Sequence, residues 1–404
     1  MTLDRSLTLP CGAVLRNRIA KAAMSDELGD GRGGATPPQA RLYERWARGG
    51  LALSIVGETQ IDPDHPENCG NLLLSPLPDK TALRDLATRA TQDGVHLWAQ
   101  LGHAGALAVP VAGRVRAPSA IEAGGIRAEE MSAEAVAALP MRFAQAAANA
   151  IAAGFTGVEI HAGHGFLLSQ FLSPLFNRRT DRWGGDAEGR SRIVLAIVAA
   201  IRAAVGPAVP IGIKINATDQ LEGGVTERDF LRTLALLDGS TLDLVDISGG
   251  AYFPGAKAAS DGAGKGPYFL EAARKARSVT GKPLMTVGGF KTRAQAMAAI
   301  ESGAVDVVGL ARALVLDPDL PTKWIAGEDA DPTFPRFAET IPGGITAWYT
   351  CRIASIARDG GNNDGTDFGM SLEEAVERVE GRRAVNATRW RAAYGIDEDL
   401  LGGG

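Results

Sequence analysis

The sequence predicts an α/β chain folded as a (β/α)8 TIM barrel, and three observations predict it. Eight short apolar runs recur along the chain, segments of helical periodicity separate them, and the Gly-rich fingerprint G-x-G-x-x-G of a doubly wound dinucleotide fold is missing after the first run. The runs read RIAKAAM (18–24), LALSIVG (51–57), VHLWAQL (95–101), FTGVEIH (155–161), VPIGIKI (209–215), DLVDIS (243–248), PLMTVG (283–288) and VDVVGL (305–310). Several are continuously apolar rather than alternating, as parallel strands covered on both faces should be.

Helical periodicity falls at 38–48, 79–92, 132–152, 190–205, 226–237, 268–279 and 292–302. Thr226-Glu-Arg-Asp229 has the form of a capping box, and Gly154, Gly206 and Gly303 stand just past helix ends. A barrel uses about 250 residues, so a chain of 404 leaves room for additions. The connection at 102–131 is long and rich in Gly, Pro and Ala, which predicts a capping insertion over the mouth after strand 3. Residues 1–330 are read as the barrel domain. Residues 331–404, with Pro- and Gly-rich stretches and a charged helix at 372–380, are read as a C-terminal extension packing on the barrel or on a neighbouring subunit.

Composition narrows the function classes. Lys and Arg number 42 against 47 Asp and Glu, a net charge of −5, which argues against a nucleic-acid partner. No apolar stretch approaches the roughly 20 residues of a membrane span. The start, MTLDRSLTLP, lacks the basic and apolar segments of a signal peptide, so a cytoplasmic protein acting on a small molecule is expected. Cys11, Cys69 and Cys351 lie too far apart for a disulfide framework and are too few for a four-thiolate cluster.

In such barrels the chemistry sits at the C-terminal ends of the strands. The fourth end, Glu159-Ile-His161-Ala-Gly-His164-Gly-Phe166, is the most informative. Two imidazoles three residues apart can converge on one oxygen or anion. They can equally be two loop histidines, or a metal pair completed by Glu58 or His103. The other ends carry Ala23-Met24-Ser25-Asp26-Glu27, Gly57-Glu58, Gln100, Lys214 with Asn216, Ser248 to Tyr252, Gly288-Gly289 and Ala311-Arg312.

The segment from Val158 through Asn177-Arg178-Arg179-Thr180-Asp181 to Gly184-Gly185 closely resembles the Old Yellow Enzyme family, the NADH:flavin oxidoreductase / NADH oxidase group of FMN-dependent barrels. Supporting matches are Arg16-Asn-Arg-Ile19, Gln100-Leu-Gly-His-Ala-Gly105, Ser248-Gly-Gly250 and Gly309-Leu-Ala-Arg-Ala-Leu314. The resemblance covers residues 5–330 and, more weakly, the tail from Pro342 to Trp348.

The resemblance implies an FMN across the barrel mouth. Its phosphate would be held by backbone N–H groups at Gly288, Gly289 and Ala311 and by Arg312. Ala23, Met24, Ser25 and Gly57 would line the ring system. Gln100 would bond its pyrimidine edge, and Lys214 would sit beside flavin N1, where a fixed cation favours the reduced, anionic flavin. His161 and His164 would donate to a substrate oxygen as hydride arrives. Glu27 and Phe166 belong to the substrate wall in this reading, and Glu58 would favour a cationic or hydroxyl-bearing substrate if it faced the pocket. One departure matters. The family's proton-donating tyrosine, two positions after the second His, is Phe166 here, and Tyr252 is the candidate substitute.

The expected activity is therefore an ene-reductase: NADH or NADPH reduces FMN, which reduces an activated alkene such as an α,β-unsaturated carbonyl. Two rivals remain. An FMN-dependent dehydrogenase or demethylase would oxidise an amine or a C–C bond and need no protonating tyrosine. A metal-dependent barrel hydrolase would use His161, His164 and His103. Larger relatives carry a four-cysteine iron–sulfur cluster and a further domain; with Cys351 alone beyond position 70, a single-domain flavin barrel is expected.

Overall fold

A computed structural model describes residues 2–76, 80–111, 115–256, 266–328, 330–338, 341–359 and 369–394. Eight parallel strands close on themselves: β1 (Ile19–Lys21), β2 (Leu53–Gln60), β3 (His96–Gly102), β4 (Gly157–Ala162), β5 (Ile211–Asn216), β6 (Leu244–Ser248), β7 (Leu284–Val287) and β8 (Val307–Leu310). Each pairs with its neighbours in chain order, and β8 returns to β1 through the register Leu310↔Lys21. These are the eight apolar runs, each starting one or two residues later than the run, with β2 to β5 reaching one to three residues past its end.

The helices fall where periodicity places them, and their ends are chemically marked. Thr226 and Thr292 each close a capping box at the starts of Glu227–Asp238 and Arg293–Glu301. Ser132 and Asp186 cap Ala133–Ala152 and Ala187–Val205, the latter beginning three residues before the predicted start. The predicted start at 79 lies outside the described residues. That helix is described as Lys80–Ala90.

The barrel interior is layered. At the bottom, Trp98 lies flat across the bore. A Cβ on Gly157 would come within 2.5 Å of its ring nitrogen, and one on Gly212 within 2.8 Å of its ring carbons. Only glycine leaves that space. Below it, an N-terminal hairpin, Leu7–Thr8 with Val14–Leu15, packs Leu9 and Leu15 against Trp98, Leu244, Met285 and Val307. The middle layer is charged: Lys21, Gln100, Glu159, Lys214 and Asp246 are all buried. The top layer, His161, Asn216 and Ser248, opens to the mouth. A buried band of ions between an apolar floor and the mouth is costly unless every charge is paired, which ties this fold to a site.

After β3 the connection builds a three-stranded sheet, Arg116–Ala117, Ile121–Ala123 and Ile126–Glu130. Its apolar face packs on Phe176, Ala251 and Phe253, so it caps the mouth between β4 and β6. Residues 112–114 of this connection lie outside the described residues. At the C-terminal side, Gly344–Asp359 packs on Pro37–Arg48, with Arg41 Nε donating to Ala357 O at 3.0 Å. The charged helix runs Leu372–Tyr394, well past the predicted end at 380, because Gly381 does not interrupt it. Its Trp390 Nε1 donates to Pro63 O and its Tyr394 hydroxyl to Arg32 O. No helix among the described residues is long and apolar enough to cross a membrane, and all three cysteines are free thiols.

Candidate active site

At the mouth a half-buried strip runs along consecutive strand ends. β7, β8 and β1 are paired neighbours, and at their ends Gly288, Gly289, Ala311, Arg312, Ala23, Met24 and Ser25 are all half-buried, above strands that are fully buried. Gly289 has φ +83°, and a Cβ there would meet Gly266 O at 1.9 Å, so the turn off β7 requires glycine. Gly57 backs onto Ala23: a Cβ would lie 2.6 Å from that of Ala23 and 3.0 Å from Gln100 Oε1. The result is a floor of Ala23, Met24, Ser25 and Gly57 at β1–β2, with turn backbone and a guanidinium at its β7–β8 end. Arg312 lies over the Tyr349 ring, 5.5 Å from its centroid. Small residues against a ring system, with N–H groups and a cation at the phosphate end, fit FMN.

Gln100 and Lys214 lie one layer below. Gln100 Nε2 donates to Glu159 Oε1 at 2.7 Å, and the Lys214 ammonium is in direct contact with Asp246 and 4.0 Å from Glu159. The buried lysine that sequence alone leaves without a partner is thus ion-paired. Burial by itself would lower its pKa, but Asp246 and Glu159 outweigh that and hold it above its ordinary value. The same burial pushes Glu159 up to about 7, against the pull of Lys214. Lys21 completes the band. Its Nζ donates to Ile55 O at 2.7 Å and sits 5.0 Å from the Tyr43 and Trp46 ring centroids, and burial brings its pKa down to about 7. Sequence reading passed over Lys21, Glu159 and Asp246, whose signal was a charge inside an apolar run.

His161 ends β4, in register with Lys214 on β5. His164 follows in the left-handed region, φ 61°, a conformation of order 1–3 kcal/mol above the ordinary for a non-glycine residue. It is held there from both sides: its N–H donates to Asn216 Oδ1 at 3.0 Å, and its carbonyl accepts from Tyr252 N at 3.1 Å. The two rings then meet, His161 Nε2 lying 3.0 Å from His164 Nδ1, and His164 Nε2 lying 2.9 Å from Ser248 Oγ. Burial and then Lys214 push His161 down to about 3, while burial, His161 and Lys214 lower His164 well below its usual value. Burial thus favours the neutral imidazole in both, with one N–H on each ring.

The remaining wall residues separate. Phe166 packs on Ala104 and Ala108, its ring 5.0 Å from His161 and 5.6 Å from Tyr252. Tyr252 is 67% exposed, at the lip of the pocket. Glu58 is buried with Oε1 3.5 Å from His161 Nδ1, and burial pushes its pKa up to about 8. Glu27, expected in the substrate wall, is buried in an ion pair with Arg383 of the C-terminal helix, its Oε1 2.5 Å from the guanidinium. That pairing takes it out of the pocket's chemistry. Ser25 bonds Asn71, not a free rim position.

His103 is not part of this constellation. It stacks on His65, ring centroids 4.4 Å apart, and its Nε2 lies 3.6 Å from Asp62. Asp62, His65 and His103 have the spacing of a metal site. However, Gly105 N donates to His103 Nδ1 at 3.0 Å, so the ring's own proton is on Nε2, facing Asp62, where a metal would need a lone pair. Among the described residues His161, His164 and His103 do not come together as one cluster of metal ligands.

A family model described as the NADH:flavin oxidoreductase / NADH oxidase family matches residues 11–329. An NADH-dependent flavin oxidoreductase of Neonectria sp. (strain DH2) is 33% identical over 381 residues, covering 85% of this chain and 49% of that protein. One of Talaromyces variabilis is 31% identical, covering 89% of this chain and 99% of its own length. The chain thus spans about half of the first relative and nearly all of the second. An Old Yellow Enzyme homologue from Zymomonas mobilis has the same fold, with a TM-score of 0.74 at 22% identity, covering 87% and 99% of the two chains. With the barrel, the half-buried strip and the histidine pair in place, the chain belongs to the NADH:flavin oxidoreductase / NADH oxidase family, and so to the FMN-dependent, NAD(P)H-linked oxidoreductases.

Proposed function

We propose that this enzyme uses NADH or NADPH to reduce an activated alkene, such as an α,β-unsaturated carbonyl. One observation carries the reading: two neutral imidazoles, buried and 3.0 Å apart at the end of β4, above the charged band and beside the strip that fits FMN. When bound, FMN supplies hydride transfer; Ala23, Met24, Ser25 and Gly57 would line it, Gly288, Gly289, Ala311 and Arg312 would hold its phosphate, and Gln100 and Lys214 would face its pyrimidine edge. The chain's own work is electrostatic. Both rings can turn an N–H toward an oxygen that gains charge, once that oxygen takes the place of their contact with each other. The lysine's charge is shared with Asp246 and Glu159, so its influence on a bound flavin is that of a neutralised cluster rather than a lone cation.

A second reading, oxidation of an amine, is favoured by buried carboxyl groups near the pocket and by Phe166 in place of a proton donor. Glu67, with Asn71 Nδ2 donating to it at 2.8 Å, is pushed up to about 8 by burial, Glu58 and Glu27. Anaerobic titration decides between them. NADH or NADPH should bleach the flavin band, and an enone should restore it. Bleaching by a methylated amine with no recovery by any enone would reverse the assignment.

A further inference from the structure

Among buried side-chain atoms, Glu58 Oε1 and His161 Nδ1 stand out. They lie 3.5 Å apart, and neither has a hydrogen-bond partner among the described residues. Gly102 leaves the space for this carboxyl: a Cβ there would fall 1.8 Å from Oε1. With the contacts above they form one line of groups from β2 to β6: Glu58, His161, His164, Ser248. Every member but Glu58 is neutral, so its proton decides the direction of the whole line.

If Glu58 is a carboxylate, it takes the Nδ1 proton of His161 and leaves Nε2 as a bare acceptor, which repels a carbonyl oxygen. If Glu58 is a carboxylic acid, it donates to Nδ1 and fixes the proton on Nε2. Ser248 can then donate to His164 Nε2 and place the second proton on His164 Nδ1. The two ring edges that face one another both become N–H donors, and an oxygen bridging them accepts from both.

We propose that Glu58, as its carboxylic acid, sets His161 as an N–H donor to the substrate oxygen and then supplies the proton that Phe166 cannot. This rests on the alkene-reduction reading. After hydride has reached the β-carbon, the oxygen takes the His161 Nε2 proton, and His161 Nδ1 takes the Glu58 proton. The enol so formed tautomerises in water, water returns a proton to His161 Nε2, and the Nδ1 proton passes back to Glu58. One C–H and one O–H form, the alkene is reduced, and NAD(P)H is the reductant.

The charged surroundings have to be separated from Glu58. Glu67 faces it from the loop after β2, Glu27 with Arg383 lies beyond, and Lys214, Asp246 and Glu159 face His161 from below. Glu67 is raised to about 8, as Glu58 is, so pH dependence alone cannot name the group.

The probe is pentafluorophenolate, an anion throughout the range, titrated against the FMN-loaded enzyme and read by the flavin spectrum. In the wild type its affinity should fall about tenfold per pH unit above roughly 8. Glu58→Gln keeps a donor toward Nδ1 but cannot ionise, so binding should persist with no step. Glu67→Gln should retain the step. Reoxidation of the reduced enzyme by a simple enone should slow about 10²–10⁴-fold in Glu58→Gln, the usual worth of a general acid, while phenolate binding is intact. A flat wild-type profile, an unchanged step in Glu58→Gln, or a step lost only in Glu67→Gln overturns the proposal. If no enone reoxidises the wild type, the alkene reading fails on its own, and the phenolate profile still judges Glu58.

Discussion

The molecule holds two histidine pairs, both buried and both beside a carboxyl group, and they are built for opposite ends. In the first, His65 and His103 stack 21° from parallel over Asp62. Asp62 Oδ1 also accepts from Asp64 N and His65 N, and Arg142 lies 3.4 Å from its other oxygen. Burial would raise that carboxyl, but His103, His65 and Arg142 outweigh it and hold it well below the carboxylate range. In the second, His161 and His164 meet edge to face at 72°, and the carboxyl beside them, Glu58, makes no ion pair with Lys or Arg among the described residues and is pushed up by burial instead. An anion surrounded by donors locks a loop. An acid beside two imidazoles that share one proton position leaves the hydrogen bonding unfinished, and an incoming oxygen can finish it. Burial alone does not tell the pairs apart; the ionisation of the carboxyl does.

If the pairs differ in this way, His161→Ala and His164→Ala should each slow alkene reduction about 10²–10³-fold, the usual loss for one oxyanion donor, and abolish the flavin perturbation caused by phenolates. Bleaching by NAD(P)H should fall less. Two variants that still bind phenolates normally would break the comparison at its functional end.

Asp62→Ala tests the structural end. It removes an anion that accepts from two backbone N–H groups and a guanidinium, a loss of about 2–3 kcal/mol, seen as a lowered unfolding midpoint. Because the folded carboxyl lies below its ordinary value, its contribution is present above about pH 3.9 and fades as pH falls below that. The wild type should lose this increment on acidification, and Asp62→Ala should have none to lose. Chelators should leave both proteins unchanged, and phenolate affinity in the folded variant should match the wild type. A chelator-sensitive midpoint would show a metal at His65 and His103 after all.

Arg312→Ala asks whether the strip opposite the histidines is a phosphate site. Loss of a charge-assisted contact should weaken FMN retention by about 1.5–3 kcal/mol. Equal FMN affinity would remove Arg312 from the phosphate site.

The strands were legible because runs buried on both faces are continuously apolar, and helix starts because Thr226, Thr292 and Ser132 have a local job to do. The histidine pair was legible because its residues are three apart. What escaped is long in range. The Glu27–Arg383 pair joins residues 356 apart, so a rim carboxylate read as substrate wall belongs to the C-terminal helix. Lys214 looked unpaired because Asp246 lies on the next strand. Sequence offers Glu58 as a metal ligand or a substrate contact, but only its three-dimensional neighbour, His161, shows what its proton can do. The small capping sheet was missed because its strands, of two to five residues, are half exposed and carry no apolar run.

Phe166→Tyr gives the smallest expected change and sharpens the comparison most. The ring is seated on Ala104 and Ala108 and also neighbours His161 and Tyr252, so an added hydroxyl has polar groups within reach. If the pocket lacked any acid, restoring a phenol would speed simple enones by the full worth of a general acid, about 10²–10⁴-fold. With Glu58 already supplying the proton through His161, the gain should stay below about tenfold, or 1.4 kcal/mol. The decisive protein is the double variant. In Glu58→Gln the relay has no proton, and there Phe166→Tyr should recover most of the lost rate, because a phenol beside the reacting carbon bypasses the histidines. Rapid mixing of the four reduced proteins with one enone measures both numbers. A large gain in the wild-type background with no extra gain in Glu58→Gln would mean that the two groups do not substitute for one another, and that Glu58 leaves the proton problem of this pocket unsolved.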